Sequence, residues 1–193
     1  MRIIHWSALV IMAGGIALSA CGGDGDATSE TAPSATTSRA DAEFNASDVM
    51  FAQGMIPHHE QAVEMASIAL APEREASAEV QDLAQRIQSA QDPEIEQMTQ
   101  FLISWDQPMD MPTMDGTEMD GMVAAEDIDT LSELRGADFD ALWSRLMTAH
   151  HEGAIATAKT EIADGLNPDA ITLAKDIVTA QEAEIDELSG LGT

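Results

Sequence analysis

The feature that most constrains the fold of this chain is an internal repeat. The stretch FAQGMIPHHEQAVEMA at residues 51–66 returns as WSRLMTAHHEGAIATA at residues 143–158, with an aromatic residue, a Met, a His-His pair and small residues at identical offsets. The match extends further, because residues 83–98 align with residues 173–188. Each half therefore predicts a His-His helix followed by an amphipathic helix, and two such hairpins predict an all-α, four-helix bundle.

Residues that typically start or end helices set the bounds of the two predicted hairpins, residues 48–104 and 138–189. Ser and Asp cap helix starts, Pro is tolerated as a first helical residue, and Gly often ends a helix. The residues that carry these signals are Ser47-Asp48, Pro72, Gly165 and Asn167-Pro168. Pro57 and Pro93 fall inside helical patterns, so a kink or a late start is expected at each. A short helix is expected around residues 127–134.

The first residues are typical of an export signal. Residues 1–20 contain one early Arg2 and an apolar run that is too short to span a bilayer, and small residues lead into Cys21. Leu18-Ser19-Ala20-Cys21 resembles the lipobox of bacterial lipoproteins, which are cleaved before the Cys and acylated on it. Residues 21–42 are rich in Gly, Ser, Thr, Ala and Pro, which predicts a flexible tether before a domain at residues 43–190.

The charge of the chain argues against some partners. With 35 acidic and 8 basic residues, the formal net charge is −27. Nucleic acids and anionic lipid headgroups are bound by basic surfaces, so we expect no nucleic-acid partner and contact with a membrane only through a lipid anchor. Cys21 is the one Cys of the chain, which leaves no thiolate ligand in the predicted domain.

The repeated helical face carries the candidate chemistry. On a helical wheel, Met55 lies at the centre of a stripe of aromatic and Ala residues, and His58 and His59 flank that stripe. In the second copy, Met147 takes the central place and His150 and His151 the flanks. If the two hairpins pair, two Met and up to four His converge. Neutral imidazole and thioether sulfur are ligands that suit copper, and thioether favours Cu(I).

The spacing of these residues argues against di-iron chemistry. Di-iron bundles use Glu-x-x-His, which places a hard carboxylate three residues before the imidazole. In this chain Met55 precedes His58 by three residues, and Met147 precedes His150 in the same way. There is no nucleophile elbow, phosphate loop or Cys nucleophile, so we identify no catalytic residues and expect a binding protein rather than an enzyme.

A Met-rich loop is predicted between the hairpins, at residues 105–126. It contains five methionines among Pro, Gly and Asp, and it lacks the periodicity that would bury them in a core. These are Met109, Met111, Met114, Met119 and Met122. A secondary site for soft metals is one interpretation. The alternatives are a linker with incidental Met and a scavenger of oxidants through sulfoxide formation.

Together these residues resemble a bacterial family known as domain-of-unknown-function family 305, over about residues 48–188. The family pattern has an aromatic residue, Met, His-His and a small-residue helix, often repeated and preceded by Gly-x-x-Phe-Asp, which residues 136–140 fit. The resemblance implies a ferritin-like bundle, exported and often lipid-anchored, that in some members binds copper or silver. It implies metal ligation by Met55, His58, His59, Met65, Met147, His150 and His151. Thr157 stands where the second copy would match Met65.

The leading hypothesis is an extracytoplasmic lipoprotein, periplasmic or at the cell surface, that binds copper for sequestration, tolerance or delivery. Cu(I) is the expected ion and Ag(I) a second one. A copper-exchange protein or a second copy of the chain would be its protein partner. Two alternatives remain: a ferritin-like, metal-dependent redox enzyme, and a metal-free interaction module whose His pairs respond to pH.

Overall fold

The computed structural model describes residues 43–110 and 120–191, and within them the chain is entirely helical. Four long helices form two antiparallel hairpins, which confirms the predicted all-α bundle, and a short helix lies between them. The helices are α1 (Ala46–Leu70), α2 (Ala78–Ser104), α3 (Ala125–Glu133), α4 (Gly136–Asp164) and α5 (Pro168–Leu191). The proposed signal segment, Cys21 and the tether lie outside the described residues.

The helix starts follow local capping, with two differences from the sequence-based bounds. Asn45 rather than Ser47-Asp48 caps α1: its side chain accepts hydrogen bonds from the backbone of Ser47 and Asp48, and the side chain of Asp48 accepts one from the backbone of Asn45. Such a reciprocal pair satisfies amides that a helix start leaves unpaired. Asn167 caps α5 as the sequence predicted, through bonds from two following amides.

The start of α2 was predicted wrongly. Pro72 opens only a 3₁₀ turn, Pro72–Arg74, and Glu75 then takes a left-handed conformation with φ 51°. That conformation ends the turn, so the long helix starts afresh at Ala78, where Ser77 accepts a bond from the amide of Val80. At Pro57 and Pro93 both long helices continue without a break.

The two hairpins are related by an approximate twofold arrangement. α1 packs along α2, α4 packs along α5, and the hairpins meet mainly through α1 and α4. Asp48 near the start of α1 accepts hydrogen bonds from the amides of Leu166 and Asn167 ahead of α5. Its repeat counterpart, Asp140 in α4, accepts one from the amide of Ser77 ahead of α2. Each hairpin is therefore tied at its turn to the His-His helix of the other.

Two buried apolar clusters lie on either side of the centre of the bundle. The first cluster is formed by the later part of α1, the earlier part of α2, α3, the earlier part of α4 and the end of α5. The second is formed by the earlier part of α1, the later parts of α2 and α4, and the earlier part of α5. Fully buried members of the first cluster include Met65, Leu83, Ile87, Leu131, Phe139, Trp143 and Met147. Those of the second include Met55, Met98, Leu102, Ala174 and Ile177. None of the described helices is long and apolar enough to cross a bilayer.

Candidate metal centre

The four histidines of the repeat are all fully buried, with exposed fractions of 0%. His58 and His59 come from the middle of α1, and His150 and His151 from the middle of α4, so the pairing of the hairpins brings both doublets to the centre. The rings of His58 and His150 lie against each other, with centroids 3.7 Å apart and planes inclined by 38°. The predicted convergence of the two His-His motifs is therefore present.

These imidazoles are unusually poor in hydrogen bonds. Neither ring nitrogen of His58 or His150, and neither Nδ1 of His59 or His151, makes a hydrogen bond of normal geometry with the described residues. Backbone groups of Asp120 and His58 lie near the rings of His58 and His150, and they raise the two pKa values by less than burial lowers them. Six buried imidazole nitrogens thus lack a normal hydrogen bond, whereas buried polar atoms in folded proteins are nearly always bonded. An apolar packing role would leave this desolvation uncompensated. Six such atoms at one place indicate a site that takes a ligand.

The electrostatics of the central pair keep both rings neutral. Burial, followed by the charge of the neighbouring His59, lowers the pKa of His58 to about 3. Burial, followed by the charge of His58, lowers the pKa of His150 to about 2. A neutral imidazole has a lone pair on one nitrogen, which is the form that binds metals.

A carboxylate from the neighbouring helix holds each of the other two histidines. Nε2 of His59 lies 2.8 Å from Oε2 of Glu94 in α2, and Nε2 of His151 lies 2.7 Å from Oε2 of Glu184 in α5. A carboxylate accepts from an N–H, so in the neutral form of each ring the proton is on Nε2 and the lone pair is on Nδ1. Carboxylates commonly orient metal-binding His in this way. The sequence patterns assigned no role to these two Glu, although they recur at an offset of 90 residues.

The buried methionines are divided between the two clusters. Met55, Met65 and Met147 are all inaccessible to solvent. Met65 and Met147 lie together in the first cluster, and Met55 lies in the second. Met55 and Met65 are ten residues apart on one helix, a rise of about 15 Å. They are thus too far apart to bind one metal ion. The two methionines that belong to one sequence motif therefore lie in different clusters of the structure.

A backbone segment near the end of the Met-rich loop, Asp120 to Val123, crosses the site; we call it the strap. Gln61, one turn after His58, bonds Val123 twice, through Nε2 to the carbonyl at 2.9 Å and through Oε1 from the amide at 2.8 Å. Gly121, with φ +89°, lies against the backbone of α4 at His150 and Gly153. The strap therefore runs over α1 and α4 where the histidines are buried.

The Met-rich loop is also tied to α1 at its other end. Nε2 of Gln53 donates to the carbonyl of Pro108 at 2.7 Å. Met109 next to this anchor is exposed, and Met122 in the strap is half-buried. Met111, Met114 and Met119 lie outside the described residues. The two anchors lie on α1 on either side of His58 and His59, so the loop starts and ends next to the histidines.

The donor set of the described residues suits a soft metal. No three His, Cys, Asp or Glu side chains within residues 43–110 and 120–191 are grouped as a metal site. The carboxylates nearest the histidines are Glu94 and Glu184, and each already bonds an imidazole. The donors of the four buried histidines and of the buried methionines are imidazole nitrogens and thioether sulfurs, which favour Cu(I) and similar ions over hard cations.

Comparisons with known proteins found a matching family model and several similar solved structures. A family model described as domain of unknown function (DUF305) matches residues 48–191. A solved DUF305 protein from Streptomyces coelicolor is 31% identical, with a TM-score of 0.69, and the match covers 75% of this chain and 91% of that one. A DUF305 fragment from Deinococcus radiodurans is 33% identical, with a TM-score of 0.68, and the match covers 76% of this chain and 95% of the fragment.

A third similar structure contains metal. CopM in its Cu(I)-bound form is 28% identical to this chain, with a TM-score of 0.60, and the match covers 74% of this chain and 93% of CopM. CopM structures with Cu(II) and with Ag are also similar to this chain. A comparison with curated protein sequences gave no match.

Proposed function

This chain belongs to the DUF305 family, and we propose that it is an exported lipoprotein that binds copper as Cu(I) through Met and His side chains. The observation that carries the proposal is the set of six buried imidazole nitrogens without a normal hydrogen bond, four of them on His58 and His150. A bound metal would accept a lone pair from neutral imidazoles among them, one from each ring, and would offset part of the cost of burying these nitrogens.

The choice of copper follows from the donors. Neutral imidazoles and the thioethers of Met55, Met65 and Met147 are soft or intermediate ligands, and Cu(I) and Ag(I) accept both. Hard, oxygen-binding ions would require carboxylates, but Glu94 and Glu184 are engaged with His59 and His151. The likeness to CopM, which has been solved with copper and with silver, supports the same class of cargo for this chain.

The proposed role is sequestration or delivery rather than catalysis. Copper would move by ligand exchange, from weak thioether sites in the Met-rich loop to the buried centre and on to an exchange protein or a second copy of this chain. The loop methionines proposed for capture are Met109, Met111, Met114, Met119 and Met122. A lipid on Cys21 would hold the domain at a membrane surface outside the cytoplasm. The substitution Cys21→Ser should then move the protein from the membrane fraction to the soluble fraction when cells are fractionated.

The decisive experiment measures the copper content of the purified domain after anaerobic loading with Cu(I) and removal of loose metal by a chelator. The native domain should retain copper, and His58→Ala with His150→Ala should lose most of it. The matched control is Met50→Leu, which changes an exposed Met of α1 (60% exposed). Circular dichroism of each variant without metal checks that the bundle has folded. Unchanged copper retention in the folded double-His variant would refute the site.

The same preparation separates the two alternatives. A metal-dependent redox enzyme predicts oxygen consumption when Fe(II) or Cu(I) is added. A metal-free interaction module predicts a pH-dependent change in association and no retained copper. Neither outcome is expected for a binding protein with a buried soft centre.

A further inference from the structure

Met98 in α2 is a buried methionine outside the repeated His-His motif. It is fully buried in the second cluster together with Met55. Its repeat counterpart is Leu188, which lies in the first cluster together with Met147 and Met65. The counterpart of Met65 is Thr157, on the side of the second cluster. The first half therefore holds three of the four buried thioethers and the second half one, and in the first half a Met takes the place that Leu has on the neighbouring helix of the second.

This arrangement equalises the sulfur in the two clusters. The first cluster holds Met65 and Met147, and the second holds Met55 and Met98. Thr157 instead of Met would by itself leave the second cluster with one buried thioether, and Met98 supplies the second one. Each side of the central histidines therefore has two buried thioethers.

The register between α1 and α2 places Met98 beside the site. Met55 precedes His59 by one helical turn, and Glu94 precedes Met98 by one helical turn. The bond between His59 and Glu94 fixes these antiparallel helices side by side. From Glu94, one helical turn along α2 in the direction of Met55 leads to Met98, which lies on the same face of α2 as Glu94. Its sulfur is consequently on the same side of the bundle as Met55 and next to the carboxylate that holds His59.

On this basis we infer that Met98 is a ligand. Met55 and Met98 form one centre for a soft monovalent cation with an imidazole of the His58-His59 pair, while Met65 and Met147 form a second with an imidazole of the His150-His151 pair. The inference rests on the proposed function and adds to it a ligand outside the His-His motif and a stoichiometry. The first centre lies within one hairpin, and the second joins α1 to α4. Two thioethers and one imidazole suit Cu(I) or Ag(I).

Packing alone does not require sulfur at this place. Leu188 fills the equivalent position in the first cluster with full burial, so Leu fits that environment. Met98→Leu is therefore a conservative test that removes the thioether and keeps the volume. Met55→Leu removes the partner sulfur, and Met50→Leu is again the exposed control.

The test is an Ag(I) titration of the metal-free domain carrying ¹³C-labelled methionine methyl groups. Native protein should bind two ions, with shifts of the Met55 and Met98 methyl resonances saturating together. Met98→Leu should weaken the first centre by about tenfold or more and leave the Met65 and Met147 responses unchanged. Met50→Leu should behave as the native protein does. Cu(I) competition with a chromophoric chelator should rank the variants in the same order.

The outcomes separate this inference from the proposed function. If Met98→Leu binds as the native domain does while Met55→Leu is weakened, Met98 is a packing residue and the inference is wrong, but copper binding stands. A Met98 methyl resonance that does not move on saturation would lead to the same conclusion. If the native domain retains neither Ag(I) nor Cu(I), the proposed function and this inference fail together.

Discussion

The carboxylate of Glu94 lies 2.8 Å from Nε2 of His59 and thereby decides which nitrogen of that imidazole can bind a metal. Glu184 has the same relationship to His151, at 2.7 Å. Both histidine side chains are fully buried, whereas the carboxylates are 18% and 11% exposed. A partly exposed carboxylate thus orients a buried ring, and the lone pair on Nδ1 is left for a ligand.

Removing this orientation should weaken metal binding while the fold is kept. Glu94→Gln or Glu184→Gln removes the negative charge and the strong acceptor but keeps the shape of the side chain. Loss of such a partner typically lowers metal affinity by about 10- to 100-fold. Chelator competition for Cu(I) measures the change, and Glu96→Gln, at an exposed position of α2, is the matched control. Equal affinity for Glu94→Gln and Glu96→Gln would show that Glu94 does not support a ligand.

The sequence predicted the helices and the burial of the histidines because both depend on local patterns. The repeat of residues 51–66 in residues 143–158 indicated two hairpins, and the His-His pairs on an apolar face indicated burial. Their convergence followed from the assumption that the hairpins pair. The contact between the rings of His58 and His150 joins the two hairpins, and no pattern within one helix specifies it.

The remaining features depend on contacts that are distant in the sequence. The role of Glu94 requires the register of α2 against α1, which the repeat alone does not give. The grouping of Met65 with Met147 requires the crossing of α1 and α4. The late start of α2 depends on a single left-handed residue, Glu75, for which residue type gave no signal. Packing between helices, rather than helix propensity, therefore determines the role of Glu94 and the grouping of the methionines.

Gly153 should control how firmly the strap covers the site. An added Cβ at this position would lie 1.9 Å from the carbonyl oxygen of Asp120 and 2.7 Å from Cα of Gly121. Both are backbone atoms, so no side-chain rotation can relieve the contact. Gly153→Ala should therefore displace the strap and break the paired bonds between Gln61 and Val123.

We expect Gly153→Ala to destabilise the domain by about 1–3 kcal/mol, although Ala favours helices more than Gly does. The amide of Val123 should lose protection against hydrogen exchange, and Cu(I) should transfer to a chelator faster. Gly190→Ala in α5 is the control, because an added Cβ there meets no atom within 4 Å. Native protection of the Val123 amide in Gly153→Ala would contradict the covering role of the strap.

A pair of buried acids between α1 and α4 should make the stability of the domain depend on pH. Glu161 and Asp48 both have exposed fractions of 0%, and Oε2 of Glu161 accepts a hydrogen bond from Ser47 at 3.2 Å. Burial, followed by hydrogen bonding to Asp48 and by its charge, raises the pKa of Glu161 to about 8 from an ordinary value of 4.5. Asp48 also accepts backbone bonds from Leu166 and Asn167, which link the two hairpins.

Because the pKa of Glu161 is raised in the folded state, the folded protein holds a proton that the unfolded chain releases. The contribution of Glu161 to stability is complete below pH 4.5 and is lost as the pH rises to about 8. The free energy of unfolding should fall across this range by up to about 1.4 kcal/mol per pH unit. Denaturant unfolding at several pH values measures the slope. Glu161→Gln keeps a neutral side chain at every pH, so the difference between the two proteins isolates Glu161 from the histidines. Parallel pH profiles for native protein and Glu161→Gln would mean that Glu161 is ionised in the folded domain at neutral pH.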